Sequence, residues 1–150
     1  EARGNMLIGA MLAGKAFANS PVAAVHALAY PIGGTFHVSH GLSNSLVLPY
    51  VLRFNSADSK TTKNYAELAP FIFPDINTDQ GNQAVCKEFI DQLELLSKKI
   101  GLPQKLREVN IPKDACKKMA SDAMKQSRLL VNNPREVTEN DALNIYEAAW

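Results

Sequence analysis

After Glu1, acidic residues are absent from a stretch longer than a third of this 150-residue sequence, because no Asp or Glu lies between Ala2 and Ala57. All three histidines, His26, His37 and His40, lie in the stretch HALAYPIGGTFHVSH, and the rest of the sequence contains none. A catalytic divalent ion typically takes about three protein ligands, often with a carboxylate among them. The histidines alone make an incomplete metal site, so a carboxylate must come from a distant helix or from outside this sequence.

Strand-like alternation of apolar and polar residues is also nearly absent. Most segments instead place apolar residues at the three- and four-residue spacing of helices. With 46% hydrophobic residues, the chain has enough apolar material to close one core. No repeat, low-complexity tract or long linker divides it. We therefore expect an all-α, compact helical array in which residues 1–150 form a single domain.

The sequence lacks a strong charge of either sign. Sixteen basic and fifteen acidic side chains give a formal net charge of +1, so nothing favours nucleic acid or another polyanion as a partner. No run reaches the roughly 18 uncharged apolar residues of a membrane span. We expect a small-molecule substrate, with no nucleic-acid partner and no membrane.

Cysteine is scarce, and the two present, Cys86 and Cys116, have neither the spacing of a metal site nor a disulfide framework. This usage favours a reducing, cytoplasmic location.

The N-terminal run MLIGAMLAGKAFA loosely imitates a secretory signal, but Lys15 lies beside the imitated cleavage site and glycines interrupt the apolar run. The sequence begins EARGNM, without an initiator methionine, which indicates a processed, engineered or partial chain.

Capping and breaking residues predict where the helices begin and end. Ser20 and Pro21 are expected to start the second helix, and Pro31, Gly33 and Gly34 to end it. The third helix is expected to be interrupted or kinked at its internal proline. The predicted helices are 3–19, 22–30, 40–55 with a break or kink at Pro49, 57–73, 82–100 ending at Gly101, 112–130 beginning at Pro112, and a last helix to Trp150 that begins at Thr138 with Asp141 in a capping box.

The histidine stretch supports two interpretations. His26 is expected inside the second helix and His40 at the start of the third, and the Pro-x-Gly-Gly segment between them allows the chain to reverse. Both imidazoles can then face one point, where neutral nitrogens bind iron(II), zinc and related ions. In the alternative interpretation each histidine is a helix cap or a hydrogen-bonded core residue.

Two segments resemble a known family. AAVHALAYPIGGTFHVSHGLSNSLVLPYVLRFN resembles the second signature region of the iron-containing (group III) alcohol dehydrogenases, and NPREVTENDALNIYEAAW resembles the C-terminal end of these enzymes. The most specific features are the spacing of His26 and His40, the sequence His-Gly-Leu at 40–42, and the apolar helix that ends in Arg-Phe-Asn at 53–55. The resemblance covers the whole chain, although the later helices match only in general character.

This resemblance implies a function. The family combines an N-terminal α/β half that binds NAD(P) with a helical half that holds Fe²⁺, or Zn²⁺ in some relatives, through one aspartate and three histidines. His26 and His40 match two of these ligands, while the other two precede the residues present here. The implied reaction is hydride transfer between a small alcohol or aldehyde and the nicotinamide, with the 150-residue chain alone inactive. Apolar surface left uncovered would favour a homo-oligomer.

Two further residues of this stretch have open roles. Many relatives carry a histidine four residues after the ligand that His26 matches. In this sequence that position is Tyr30, so we hypothesise a proton relay through its hydroxyl. The alternative is a helix-end aromatic packed in the core. His37 has no fixed counterpart in the family, and a turn-capping role is favoured over one in lining the substrate pocket.

Two alternatives to an alcohol dehydrogenase stay open at this point, one within the same enzyme family and one outside the enzymes. Within the enzymes, zinc-dependent glycerol dehydrogenases and maleylacetate reductases are near relatives of the same family. Outside them, the chain could be a non-catalytic helical interaction module in which the histidines are vestigial. Metal content distinguishes the module from the enzymes.

Overall fold

The computed structural model describes all 150 residues and contains eight α-helices, two short 3₁₀ segments and no strand. The all-α expectation is therefore confirmed. The α-helices are α1 (Ala2–Asn19), α2 (Ala24–Phe36), α3 (His40–Asn55), α4 (Ser59–Ile72), α5 (Asn82–Lys99), α6 (Ala115–Met124), α7 (Ser127–Leu130) and α8 (Glu139–Ala149), and the 3₁₀ segments are Thr78–Gln80 and Leu106–Val109.

The buried apolar side chains form two clusters that meet along α3. The larger cluster lies among α2, α3, α6 and α8 and includes Leu28, Val51 and Tyr146. The smaller one lies between α4 and α5 and includes Phe89, with Leu52 packed against it. Because Val51 and Leu52 are consecutive on α3, this helix presents one side to each cluster and connects them.

Helix α1 differs from the others because none of its residues is buried. Its large apolar side chains are exposed, with Met6 and Leu7 each 74% accessible. Apolar residues lie on all sides of the helix rather than on one stripe, a pattern typical of helices enclosed by other elements. In this chain, α1 makes no such packing.

Helix α2 corrects the predicted boundaries of the second helix. It begins after Ala23 rather than at Ser20 and Pro21, and it continues through Pro31 and both glycines to Phe36. Pro31 is buried in the helix, so packing against α3 and α6 offsets the cost of its missing N–H, about 3 kcal/mol. The Pro-x-Gly-Gly segment is therefore helix, and the reversal lies further along.

Four other predictions about helix ends and breaks can be judged. Helix α3 runs through Pro49 as one element, so of the two predicted alternatives, a break or a kink, the break is wrong. The helix predicted from Pro112 to Leu130 is two helices, α6 and α7, separated by a break at Lys125 and Gln126. The stop of α5 near Gly101 is confirmed, because this residue has φ +80°. Thr138 and Asp141 form the predicted capping box.

No single helix has both the length and the apolar character to cross a membrane. Only α1 and α2 taken together, bent by 112° at the break between them, meet such a test.

Candidate metal centre

The helix pair α2–α3 positions the first candidate ligand. The buried face of α2 contains Ala24, Ala27 and Leu28, which pack in the larger cluster. His26 and Tyr30 are four residues apart, so they share one side of the helix outside that face. Packing of the alanine and leucine side chains therefore fixes the direction in which both residues point.

The reversal between the two helices positions the second candidate ligand. His37 has the left-handed conformation, with φ 56°, and ends α2. The Ser43 hydroxyl on α3 donates to the carbonyl oxygens of Val38, at 3.2 Å, and Ser39, at 3.0 Å. A Cβ atom on Gly33 would lie 3.3 Å from the carbonyl oxygen of Val38, so a small residue there lets the chain turn closely. The turn brings His40 back beside α2.

The imidazole rings of His26 and His40 are neighbours. Their centroids lie 5.2 Å apart and their planes are inclined by 50°. Two imidazoles bound to one ion at about 2.0–2.1 Å, on adjacent tetrahedral positions, would have centroids roughly 5 Å apart. The separation fits two positions in the coordination sphere of one divalent ion.

The electrostatic surroundings favour neutral imidazole, the form that binds metals. Partial burial of His26, and secondarily the nearby His40, lower the pKa of His26 below its usual value. No acidic residue lies within α2 or α3 to counter this effect. A neutral ring keeps one nitrogen lone pair free for an ion.

The chain supplies no third ligand for this pair. No group of three or more His, Cys, Asp or Glu side chains is arranged to hold a metal ion. The sequence left open whether a distant helix brings a carboxylate to the histidines, and in this chain none does. The residues present thus fit the implied ion in part, as two of its nitrogen ligands.

Asn44 is a polar neighbour of His40 that sequence reasoning missed. Its Nδ2 atom lies 3.1 Å from His40 Nε2 and 3.1 Å from the His40 carbonyl oxygen. Its Oδ1 atom is buried and has no hydrogen-bond partner. The only sequence signal was the four-residue spacing from His40, which places both side chains on one helix face.

Tyr30 and His37 lie at different distances from the pair. The Tyr30 ring centroid is 6.4 Å from that of His40, and the side chain is 47% exposed, so the ring is not packed in the core of this chain. His37 is exposed and belongs to the turn itself, as the turn interpretation expected. The structure therefore brings His26, Tyr30 and His40 together and leaves His37 outside.

A surface depression of about 440 Å³ lies away from the histidines, between α3 and α5. Its lining includes Arg53, Cys86 and Asp91. Arg53 donates to Asp91 at 2.9 Å and to Glu94, so its charge is already neutralised within the protein. Lys87, the other cation of the lining, is paired with Asp91 at 2.7 Å. Both cations of the depression are therefore engaged within the protein, and the histidine pair remains the candidate site.

Comparison with known families gives a match over the whole chain. The model of the Fe-containing alcohol dehydrogenase family, C-terminal, matches residues 1–150. This match covers the histidine stretch together with every helix of the larger and smaller clusters.

Individual relatives agree with this match. The long-chain-alcohol dehydrogenase 1 of Geobacillus thermodenitrificans is 38% identical over 100% of this chain and 37% of its own length. The 1,3-propanediol dehydrogenase of Citrobacter freundii is 33% identical over 100% of this chain and 38% of its own length. The solved alcohol dehydrogenase of Oenococcus oeni matches with a TM-score of 0.83 and 32% identity, over 93% of this chain and 36% of that protein. The chain thus spans little more than a third of the length of these relatives.

Proposed function

Because the chain belongs to the Fe-containing alcohol dehydrogenase family, we propose that it is the metal-binding helical domain of an NAD(P)-dependent alcohol dehydrogenase. The observation that carries the proposal is the approach of His26 to His40, with ring centroids 5.2 Å apart. In this proposal both imidazoles are ligands of one catalytic ion. The other ligands belong to parts of the enzyme outside these 150 residues.

The proposed domain organisation follows from composition and coverage. We assign residues 1–150 to one helical, C-terminal domain, because α3 joins both apolar clusters and the C-terminal family model matches the whole chain. The glycines at 33 and 34 lie within α2, and no G-x-G-x-x-G pattern accompanies a strand, so the chain carries no dinucleotide motif. NAD(P) is therefore assigned to the remaining length of the enzyme, and we expect no turnover by the 150-residue chain alone.

The proposed mechanism gives each local residue one task. A bound Fe²⁺, or Zn²⁺ in the alternative, supplies Lewis-acid polarisation of an alcohol or aldehyde oxygen, while NAD(P) carries the hydride. His26 and His40 contribute neutral nitrogen lone pairs and fix the position of the ion relative to α2 and α3. Tyr30 is exposed beside His40, so its phenolic oxygen is placed to accept a proton and pass it to solvent.

Small alcohols and aldehydes are the proposed substrate class. The relatives named above are dehydrogenases of long-chain alcohols and of 1,3-propanediol, which differ in chain length but share a hydroxyl group on carbon. Iron is the first choice of ion because the matched family is iron-containing. Zinc stays as the alternative, as in the zinc-dependent glycerol dehydrogenases.

The proposal also includes a homo-oligomer as the assembly and the cytoplasm as the location. Self-association into a homo-oligomer is supported by the exposed apolar residues of α1. The near-balance of basic and acidic residues gives no support for nucleic acid as a partner. A cytoplasmic location is supported by the two free, buried thiols, Cys86 and Cys116.

Metal analysis of the full-length enzyme tests the ligand assignment. The unsubstituted enzyme should retain about one ion per chain after dialysis, whereas His26→Ala and His40→Ala should each lower retention at least about tenfold. His37→Ala is the matched control, since this histidine lies in the turn outside the pair, and it should retain the ion. Unchanged metal content in both ligand variants would refute the assignment.

That refuting result would favour the helical interaction module. The exposed, all-round apolar surface of α1 is the observation that supports such a module. The two functions also predict different effects of Tyr30→Phe. In an enzyme the substitution should change the pH profile of turnover, whereas in a module that binds through α1 it should leave binding unchanged.

A further inference from the structure

The amide group of Asn44 makes an unusual pair of contacts with a single residue. Its nitrogen, Nδ2, lies 3.1 Å from His40 Nε2 and 3.1 Å from the His40 carbonyl oxygen. Its oxygen, Oδ1, is buried and has no partner. The amide is thus held through its nitrogen alone.

The contacts decide which way the amide faces. A backbone carbonyl oxygen only accepts hydrogen bonds, so the Asn44 atom beside it must be the donor nitrogen. Rotating the amide by half a turn would place Oδ1 against the carbonyl oxygen of His40, which is repulsive. The NH₂ group has two hydrogens, so one points to the carbonyl oxygen and the other to Nε2.

This arrangement determines the role of each nitrogen in the His40 ring. A hydrogen bond from the amide requires an acceptor at Nε2, so this atom carries the lone pair. In neutral imidazole one nitrogen accepts and the other carries the hydrogen. The hydrogen is therefore on Nδ1, and Nε2 is the atom available to an ion.

We propose that Asn44 is a positioning residue that holds His40 in the Nδ1–H tautomer and covers the Nε2 lone pair until a divalent ion displaces the amide. The inference rests on the proposed function only for the identity of the displacing ion. The tautomer itself depends on the contacts of Asn44 and not on any metal.

The amide competes with the ion for the same lone pair. The hydrogen bond to Nε2 stabilises the metal-free state and is lost when the ion binds, so removing Asn44 should strengthen binding. A typical net hydrogen bond corresponds to an increase in affinity of about two- to tenfold. The same hydrogen bond should favour the Nδ1–H tautomer by about fivefold in the metal-free chain.

Nitrogen-15 NMR of the imidazoles measures this tautomer directly. The chain has only three histidines, so their signals are few, and the spectra are recorded at about pH 8.5, above the titration range of free imidazole. In the unsubstituted chain His40 should be mainly Nδ1–H. Exposed His37 is the internal reference, because its ring makes no such contact with an asparagine.

Two substitutions at Asn44 and one control complete the test. In Asn44→Ala the tautomer ratio of His40 should approach that of His37, and in Asn44→Asp, which offers only acceptors, the Nδ1–H form should no longer predominate. Asn19→Ala is the control, since Asn19 donates to the carbonyl oxygen four residues earlier but contacts no imidazole. It should leave His40 unchanged.

Zinc ion alone, added during the same measurements, separates this inference from the proposed function. Zinc should shift the His26 and His40 signals, and Asn44→Ala should bind zinc about two- to tenfold more tightly than the unsubstituted chain. If His40 is mainly Nε2–H in the unsubstituted chain, or stays Nδ1–H in Asn44→Ala, the inference is overturned even if zinc binds. If the tautomer is as expected and zinc shifts neither ring, the role in tautomer selection stands and the metal assignment fails.

Discussion

The hydroxyl of Tyr146 on α8 donates a hydrogen bond of 2.6 Å to the carbonyl oxygen of Leu28 on α2. Tyr146 is fully buried, and burial raises the pKa of its hydroxyl. Leu28 lies two residues beyond His26 and three before Pro31. The last helix of the chain is thereby attached to the segment of α2 that carries the candidate ligand.

Tyr146→Phe should lower the free energy of unfolding by about 1–2 kcal/mol, because a buried hydrogen bond is lost while the ring is kept. Urea denaturation measures the change. Tyr30→Phe is the control, since its hydroxyl is on an exposed side chain, and it should change stability by less than about 0.5 kcal/mol. Equal stability of Tyr146→Phe and the unsubstituted chain would contradict the importance of this bond.

The start of α8 gives a second prediction. The Thr138 hydroxyl accepts from the Asp141 backbone N–H at 3.2 Å, and the Asp141 carboxylate accepts from the Thr138 N–H at 3.0 Å. Thr138→Ala removes the side-chain cap and should cost about 1 kcal/mol in thermal or urea unfolding. Exposed Thr78→Ala is the matched control. A cost no larger than that of the control would show that α8 does not depend on its cap.

The helix pattern was largely readable from the sequence, and its errors have a common cause. Local propensity predicts a helix end at Pro31 and a break or kink at Pro49, because proline removes a hydrogen bond from a helix interior. Both are buried within continuous helices, since α2 and α3 pack against each other and against α6 and α8. Tertiary packing supplies most helical stability in proteins, and it cannot be read from local propensity.

The candidate site was predictable only in outline. Two histidines on consecutive helices, with a reversal between them, indicated that the rings can approach one another. The predicted position of the turn is wrong, because the chain reverses at the left-handed His37, while the glycines lie within α2 and Gly33 only leaves room for the close approach of Val38. The Asn44 contact depends on a side-chain rotamer and on an amide orientation, and neither leaves a trace in the sequence beyond the four-residue spacing.

Acid unfolding provides a third prediction, based on Asp122 of α6. Hydrogen bonds from Lys118 at 2.7 Å and Lys125 at 2.6 Å lower the pKa of Asp122 from 3.8 to about 2. Because the folded-state pKa is depressed, the unfolded chain takes up the proton first as the pH falls. The contribution of this group to stability is present above about pH 4 and is lost as the pH falls toward about 2.

Urea unfolding across that pH range measures the effect. Lys118→Gln should flatten the decline of stability with falling pH, and added salt should do the same because these side chains are near the surface. Lys117→Gln is the control, since this neighbouring exposed lysine makes no ion pair with Asp122. An identical pH dependence in both variants would exclude Asp122 as a source of the decline.

The surface of α1 gives the last prediction. Leu7 and Met11 are exposed, at 74% and 52%, and lie four residues apart on one side of a helix that has no buried residue. Apolar patches of this kind associate in water because burial stabilises by about 25 cal/mol per Å². The 150-residue chain should therefore form dimers or larger species as its concentration rises, which light scattering measures.

Replacing both Leu7 and Met11 by glutamine should shift the onset of association to higher concentration, whereas replacing exposed Leu95 and Leu96 of α5 should not. A monomer at every concentration would mean that α1 does not associate, and an equal shift from the α5 pair would assign the association to general surface hydrophobicity instead.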